Sequence, residues 1–150
     1  MSGTRTLAQR NTDVLDALAR NGDIWLATAS PDGGAHLIAA SAWWNGSEIV
    51  IATIGTSRTA RNLDTTGGAR LALGSPEDVT MIDASVIATT AVADSDAELH
   101  SGFAAAVGWD PADEPGPWRF FRLRPRRIQA YRGYGEREGR DVMRGARWSE

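Results

Sequence analysis

An α+β domain built on an antiparallel barrel is predicted by three features of the sequence. About six or seven short apolar segments are separated by compact turn signals. A few segments carry a helical period and flank those runs. One apolar run, residues 79–94, is too long to stay straight in a small domain, and a closed or nearly closed barrel bends it.

Residues 6–20 place Leu7, Val14, Leu15 and Leu18 close to the helical period and Asn21-Gly22 supplies a stop, so residues 1–22 hold an N-terminal helix. Apolar runs at 24–29 and 35–44 flank the turn-dense Ser30-Pro31-Asp32-Gly33-Gly34 and read as a hairpin. Asn45-Gly46 turns the chain into the β-branched run 48–53, which pairs antiparallel with the strand before it. Residues 54–63 begin as a loop with two candidate N-caps, Thr56 and Ser57, and continue as a short helix closed by Gly67-Gly68. Strands follow at 70–74 and 79–94. Ser95-Asp96-Ala97-Glu98 has capping-box spacing, and Leu99, Phe103 and Val107 at i, i+4 and i+8 carry a helix to Gly108. After a linker at 111–117, residues 118–123 and 127–134 form a closing hairpin. Residues 135–150 remain as a polar C-terminal arm carrying Met143 and Trp148.

With 150 residues, 42% hydrophobic and 23% charged, the chain reads as one domain over 1–150. No run reaches the roughly 20 apolar residues of a membrane span, and the opening Met1-Ser2-Gly3-Thr4-Arg5 lacks the apolar core of a secretory signal. A cytoplasmic protein without a membrane partner is expected. The absence of cysteine removes disulfides, thiolate nucleophiles and Cys-ligated metals, and with only His36 and His100 no metal site is expected. A net charge of −3 gives no general grip on nucleic acid. Arg119, Arg122, Arg124, Arg126 and Arg127 interleave with Phe120, Phe121 and Leu123, the pattern of a strand with one buried face and solvated arginines. Trp43-Trp44 can shape a pocket or cover an interface, while Trp25, Trp109, Trp118 and Trp148 are assigned to packing.

The segment from Thr53 to Leu63 delivers hydroxyls and Arg58 onto a helix start, a geometry suited to an anion. A phosphate would satisfy all of these donors together. The same residues also read as an ordinary helix cap with Arg58 and Arg61 in solvent.

With these residues in place the chain resembles the pyridoxamine 5′-phosphate oxidase-like split-barrel flavoproteins. The likeness spans residues 23–148 and rests on Asp32-Gly33 at the hairpin turn, Ile49-Val50-Ile51-Ala52-Thr53, Thr56-Ser57-Arg58-Thr59 and Asn62-Leu63. Ile128-Gln129-Ala130-Tyr131 and Gly139-Arg140-Asp141-Val142-Met143 add to it. The resemblance implies an antiparallel split β-barrel with short flanking helices, a homodimer, and flavin mononucleotide (FMN) in a groove between subunits. It implies that Ile38, Ala39, Ala40 and Ser41 line the isoalloxazine ring, that Thr53, Ser57, Arg58 and Thr59 hold the phosphate, and that Tyr131 and Arg140 complete the site. The small residues of this set also suit a tight barrel with no ligand.

Departures from the family pattern narrow the expected chemistry. Thr59 stands where the oxidases carry a lysine, His36 where they carry an arginine, and Ser41 where they use a substrate-binding lysine. Glu136-Arg137-Glu138 replaces a terminal Arg-x-His element, and these acidic residues are expected beside the substrate, where they would repel a phosphate. Oxidation of pyridoxamine phosphate is therefore disfavoured. The expected function is FMN-dependent hydride transfer on a small, unphosphorylated organic substrate. Its alternatives are an F420-dependent reductase of the same superfamily, whose cofactor tail asks for a basic channel, and a non-catalytic flavin- or haem-binding carrier or sensor. Because the cofactor carries the electron chemistry, no catalytic side chain is assigned.

Overall fold

Residues 3–20 and 22–150 are described by the structure, a computed structural model. Helix α1 (Leu7–Ala19) starts in a reciprocal capping box, Thr6 accepting from the Gln9 N–H while the Gln9 side chain accepts from the Thr6 N–H. The stop expected at Asn21 lies outside the described residues. Val14 and Leu18 are buried, whereas Leu15 turns outward and Arg10 takes an unexpected place on the inner face. The Arg10 guanidinium donates to the carbonyls of Ala130, Glu136 and Glu138, tying α1 to the C-terminal segment.

The sheet is built from β1 (Gly22–Ala29), β2 (Ala35–Trp44), β3 (Ile49–Ile54), β4 (Gly68–Ser75), β5 (Asp78–Ala91) and β6 (Trp118–Tyr131). Their spatial order is β3-β2-β1-β4-β5-β6, and pairing of β3 with β6 closes them into a six-stranded antiparallel barrel. Together with α1, α2 (Arg58–Thr66) and α3 (Ala97–Val107), this makes the predicted α+β split barrel. The β1–β2 and β2–β3 hairpins form as the turn residues predict. The length of β5 is absorbed by register shifts at Asp83/Ala84 and Val86/Ala88, which bend it around the barrel.

Two expectations at the C-terminal end are corrected. The residues assigned to a closing hairpin form one strand, β6, running straight through Pro125. Proline is tolerated because Pro125 lies opposite Ala84 at the register shift between β5 and β6, a bulge where the ladder is already interrupted; β7 (Asp141–Arg144) pairs with β6 from Ile128 onward. The arm is likewise not merely polar. Its β7 and β8 (Arg147–Trp148) extend the sheet beyond β6, and Val142 and Met143 are buried in the main core.

Alternation along the strands divides the apolar side chains between two cores. Leu26, Ile49, Ile51, Leu71, Ile82, Phe121, Leu123 and Ile128 fill the barrel interior, with Val14 and Leu18 of α1 and Ala60 and Leu63 of α2 added from outside. The opposite faces of β3 and β6 carry Val50, Ala52 and Phe120, which α3 covers with Phe103. The Phe103 ring meets Phe120 and Trp109 edge-on at 5.2 and 5.7 Å, and its burial is worth about 1.5–3 kcal/mol. Asp96, rather than Ser95, caps α3 by accepting from the Leu99 N–H.

Candidate cofactor site

The first turn of α2 is an array of donors. Ser57 is the N-cap: its N–H bonds to the Ile54 carbonyl at 2.9 Å, and its Oγ accepts from the Ala60 N–H at 3.1 Å. Thr53 at the end of β3 places its Oγ1 3.0 Å from the same Oγ. The next two backbone donors, the N–H groups of Arg58 and Thr59, have no acceptor among the described residues, as the geometry of a helix start requires. The Thr59 side chain itself is buried, so what it brings to this turn is its backbone.

Arg58 is exposed, and its guanidinium hydrogen-bonds to no described residue, leaving its donors free. It leans against the β1–β2 turn. A Cβ built on Gly34 would lie 3.4 Å from the Arg58 Nη2 and 2.8 Å from the Ser30 Oγ, so glycine keeps this cradle open. The Asp32 carboxyl in the turn is held below its ordinary range, first by the Ser30 hydroxyl, then by the Gly34 N–H, with a smaller contribution from Arg58. Arg61 folds back onto the Thr56 carbonyl at 2.8 Å and braces the loop instead of adding charge to the helix end. Asn62, which the sequence marked only as part of a motif, donates to the Thr28 hydroxyl at 3.1 Å and anchors α2 on β1.

Strand β2 leaves this turn and carries the four residues assigned to the ring. They alternate. Ile38 and Ala40 pack against the barrel core, whereas Ala39 lies on the outer face with Leu37, opposite Trp25 of β1. Trp25 and Leu37 are 55% and 62% exposed, so Trp25 does not pack within this chain as expected. The Ser41 hydroxyl is engaged twice, donating to Asp23 at 3.1 Å and accepting from the Trp109 indole N–H at 2.9 Å.

Tyr131 and Arg140 stand apart from this cluster. Thr53 is paired with Arg119 at the start of β6, and Tyr131 ends that strand, about 40 Å further along its contour at 3.3 Å per residue. Glu136, expected beside a substrate, is instead buried. It accepts from the Arg5 guanidinium at 2.6 Å and from the Arg132 backbone at 2.9 Å, and these bonds, led by Arg5, hold its carboxyl at about 2.

Several of the remaining polar groups are committed to structure. Arg119 forms a two-pronged pair with Asp64 at 2.7 and 2.8 Å, Arg122 pairs with Glu48, and Arg127 with Asp141. His100 lies 2.9 Å from Asp110, and His36 sits across from Thr28 in the first hairpin. No group of three His, Cys, Asp or Glu side chains could hold a metal among the described residues. No described helix is long and apolar enough to cross a membrane.

No family model and no curated protein matches the chain. Solved structures do. An F420 reductase superposes with a TM-score of 0.64 at 15% identity, over 75% of this chain and 93% of its own. A putative pyridoxamine 5′-phosphate oxidase from Listeria innocua gives 0.61 at 11%, over 79% and 95%. A heme binding protein from Mycobacterium smegmatis gives 0.62 at 18%, over 90% of this chain and 57% of its own. The fold is therefore that of the pyridoxamine 5′-phosphate oxidase-like split barrels.

Proposed function

We propose that the chain is a flavin-dependent oxidoreductase that binds FMN across a homodimer and transfers hydride to or from a small, unphosphorylated organic molecule. The observation that carries this reading is the unpaired donor set at the start of α2, the N–H groups of Arg58 and Thr59 and the Arg58 guanidinium, flanked by the mutually hydrogen-bonded hydroxyls of Thr53 and Ser57. Such an array fits a terminal phosphate, which accepts from helix N–H groups and from arginine together.

The distances along the chain suit the rest of the cofactor. Ile38 follows Gly34 by four residues, about 13 Å of extended strand, within reach of a ribityl phosphate arm and the ring it carries. Ala39 on the outer face lets a flat ring approach the β2 backbone, and the exposed Trp25 and Leu37 supply apolar walls. When bound, the isoalloxazine ring would supply the electron and hydride chemistry. Ser41, fixed by Asp23 and Trp109, would present a hydroxyl of set orientation at the far end of this strip. Tyr131 and Arg140 lie near the end of β6 opposite the one that pairs with Thr53, so in this reading a second protomer brings them to the groove. Cytoplasmic location is part of the same proposal. The F420 alternative draws support from the likeness to an F420 reductase, although a polycarboxylate tail finds at this helix start only one uncommitted guanidinium, that of Arg58.

The deciding experiment is the absorption spectrum and mass of the chromophore that co-purifies, or that binds on addition of FMN. The expected outcome is an oxidised flavin spectrum, with Arg58→Ala weakening FMN binding by about tenfold or more, equivalent to about 1.4 kcal/mol. A deazaflavin would shift the reading to the F420 branch, and wild-type FMN affinity in Arg58→Ala would remove the phosphate assignment.

A further inference from the structure

At the mouth of the barrel opposite α2, between α1 and the strand ends, the structure holds a cavity of about 600 Å³, within the range of small-molecule sites. None of the ten residues assigned to the cofactor lines it. β1 separates the two regions. Gly22, Asp23 and Ile24 line the cavity at its start, and Thr28, near its other end, anchors α2.

The floor of the chamber is apolar, made by Val14, Leu18, Ile49, Leu71, Leu73 and Trp44. Thr80 lines it as well, is only 8% exposed, and its hydroxyl forms no hydrogen bond with any described residue. The hydroxyl is not sealed in the core but open to the chamber, where a polar ligand atom or water can meet it. The rim is acidic. Asp13, Asp16, Asp23 and Asp78 face Arg5, Arg20 and Arg132, and Arg5 is already held by Glu136 behind the wall. Asp16, Asp23 and Arg20 form no ion pair among the described residues, Asp23 being held by the neutral Ser41 hydroxyl, so with Arg5 shared with Glu136 the four carboxylates of the mouth outweigh its guanidinium groups.

We infer that this chamber binds a small amphiphilic cation, with an apolar body among the floor side chains and an ammonium group at the carboxylate rim. The assignment is separate from the cofactor reading and does not depend on it. Titration calorimetry on the full chain with octylammonium and octanoate, which share an apolar body and differ in the sign of the head group, tests it. Octylammonium is expected to bind about tenfold or more tighter than octanoate. Leu73→Trp, which fills the chamber, should abolish that binding while circular dichroism stays that of the wild type. Asp16→Asn, at an exposed rim position, should reduce the ammonium preference about threefold, and it decides the question if Leu73→Trp does not fold. Arg58→Ala should bind octylammonium as the wild type does. Equal or tighter octanoate binding, binding of neither probe at millimolar concentration, octylammonium binding that survives in folded Leu73→Trp, or an unchanged preference in Asp16→Asn would each overturn the proposal.

Discussion

Glu136 shows how residue identity and residue role separate. Its place in an acidic tripeptide suggested a charge facing substrate, yet the Arg5 and Glu136 side chains are both nearly inaccessible and bonded to each other, joining the two ends of the chain. Removing the carboxylate leaves Arg5 with Asp13 and the more distant Asp78 but without its charged hydrogen bonds to Glu136, so Glu136→Gln should cost about 2 kcal/mol in urea denaturation at neutral pH. The pH dependence follows from the same bond. The Glu136 carboxyl, held by Arg5, lies at about 2 in the folded chain against 4.5 ordinarily, and Asp141, held by Arg127 and Arg144, at about 2 against 3.8. The folded state thus binds fewer protons than the unfolded state through this range. The stabilisation is full above about pH 4.5 and is lost as pH falls toward 2. Denaturation midpoints measured between pH 2 and 7 should show that acid limb, and it should shrink in Glu136→Gln. Partners 131 residues apart are invisible to local reading, because nothing in either segment specifies the other.

The elements were legible wherever their own residues decide them. Turn chemistry placed the first two hairpins, and spacing placed all three helices, because backbone preference and apolar period act within a few residues. Element boundaries failed where a neighbour decides. β6 continues through Pro125 because a bulge in its pairing with β5 accommodates the proline, and the final arm becomes strand because β6 offers an edge. The seating of α3 is likewise a tertiary matter. A Cβ at Gly102 would lie 2.3 Å from the Trp43 ring, closer than any real contact, so Gly102→Ala must displace the indole. A loss of about 1–3 kcal/mol is expected, with altered near-ultraviolet circular dichroism from the tryptophans, and wild-type stability would show that the ring is not wedged there. Ser57 is worth about 1 kcal/mol as a cap, and its removal should loosen α2 and its orphan donors together.

For the whole molecule, the proposed dimer makes a distinct prediction. Trp25 and Leu37 present exposed apolar surface on the face that would meet a second copy, and Tyr131 and Arg140 lie near the end of β6 opposite the one that pairs with Thr53. Light scattering is expected to give twice the 16.1 kDa chain mass, with Trp25→Asp reducing it to one chain and weakening FMN binding in parallel. Tight FMN binding by a monomeric Trp25→Asp variant would show that the groove needs only one chain. The sequence by itself determined the architecture, since alternating apolar residues, compact turns and a strand too long to lie straight leave a bent antiparallel sheet as the way to bury them. It also marked the residues of the α2 helix start, because a cap and its following cation are neighbours along the chain. Only the tertiary structure decided which donors there stay free, which carboxylates are consumed by distant arginines, and that an acidic chamber opens at the other mouth. Those outcomes depend on groups brought together from remote parts of the chain, and closure of β3 on β6 is what brings them together.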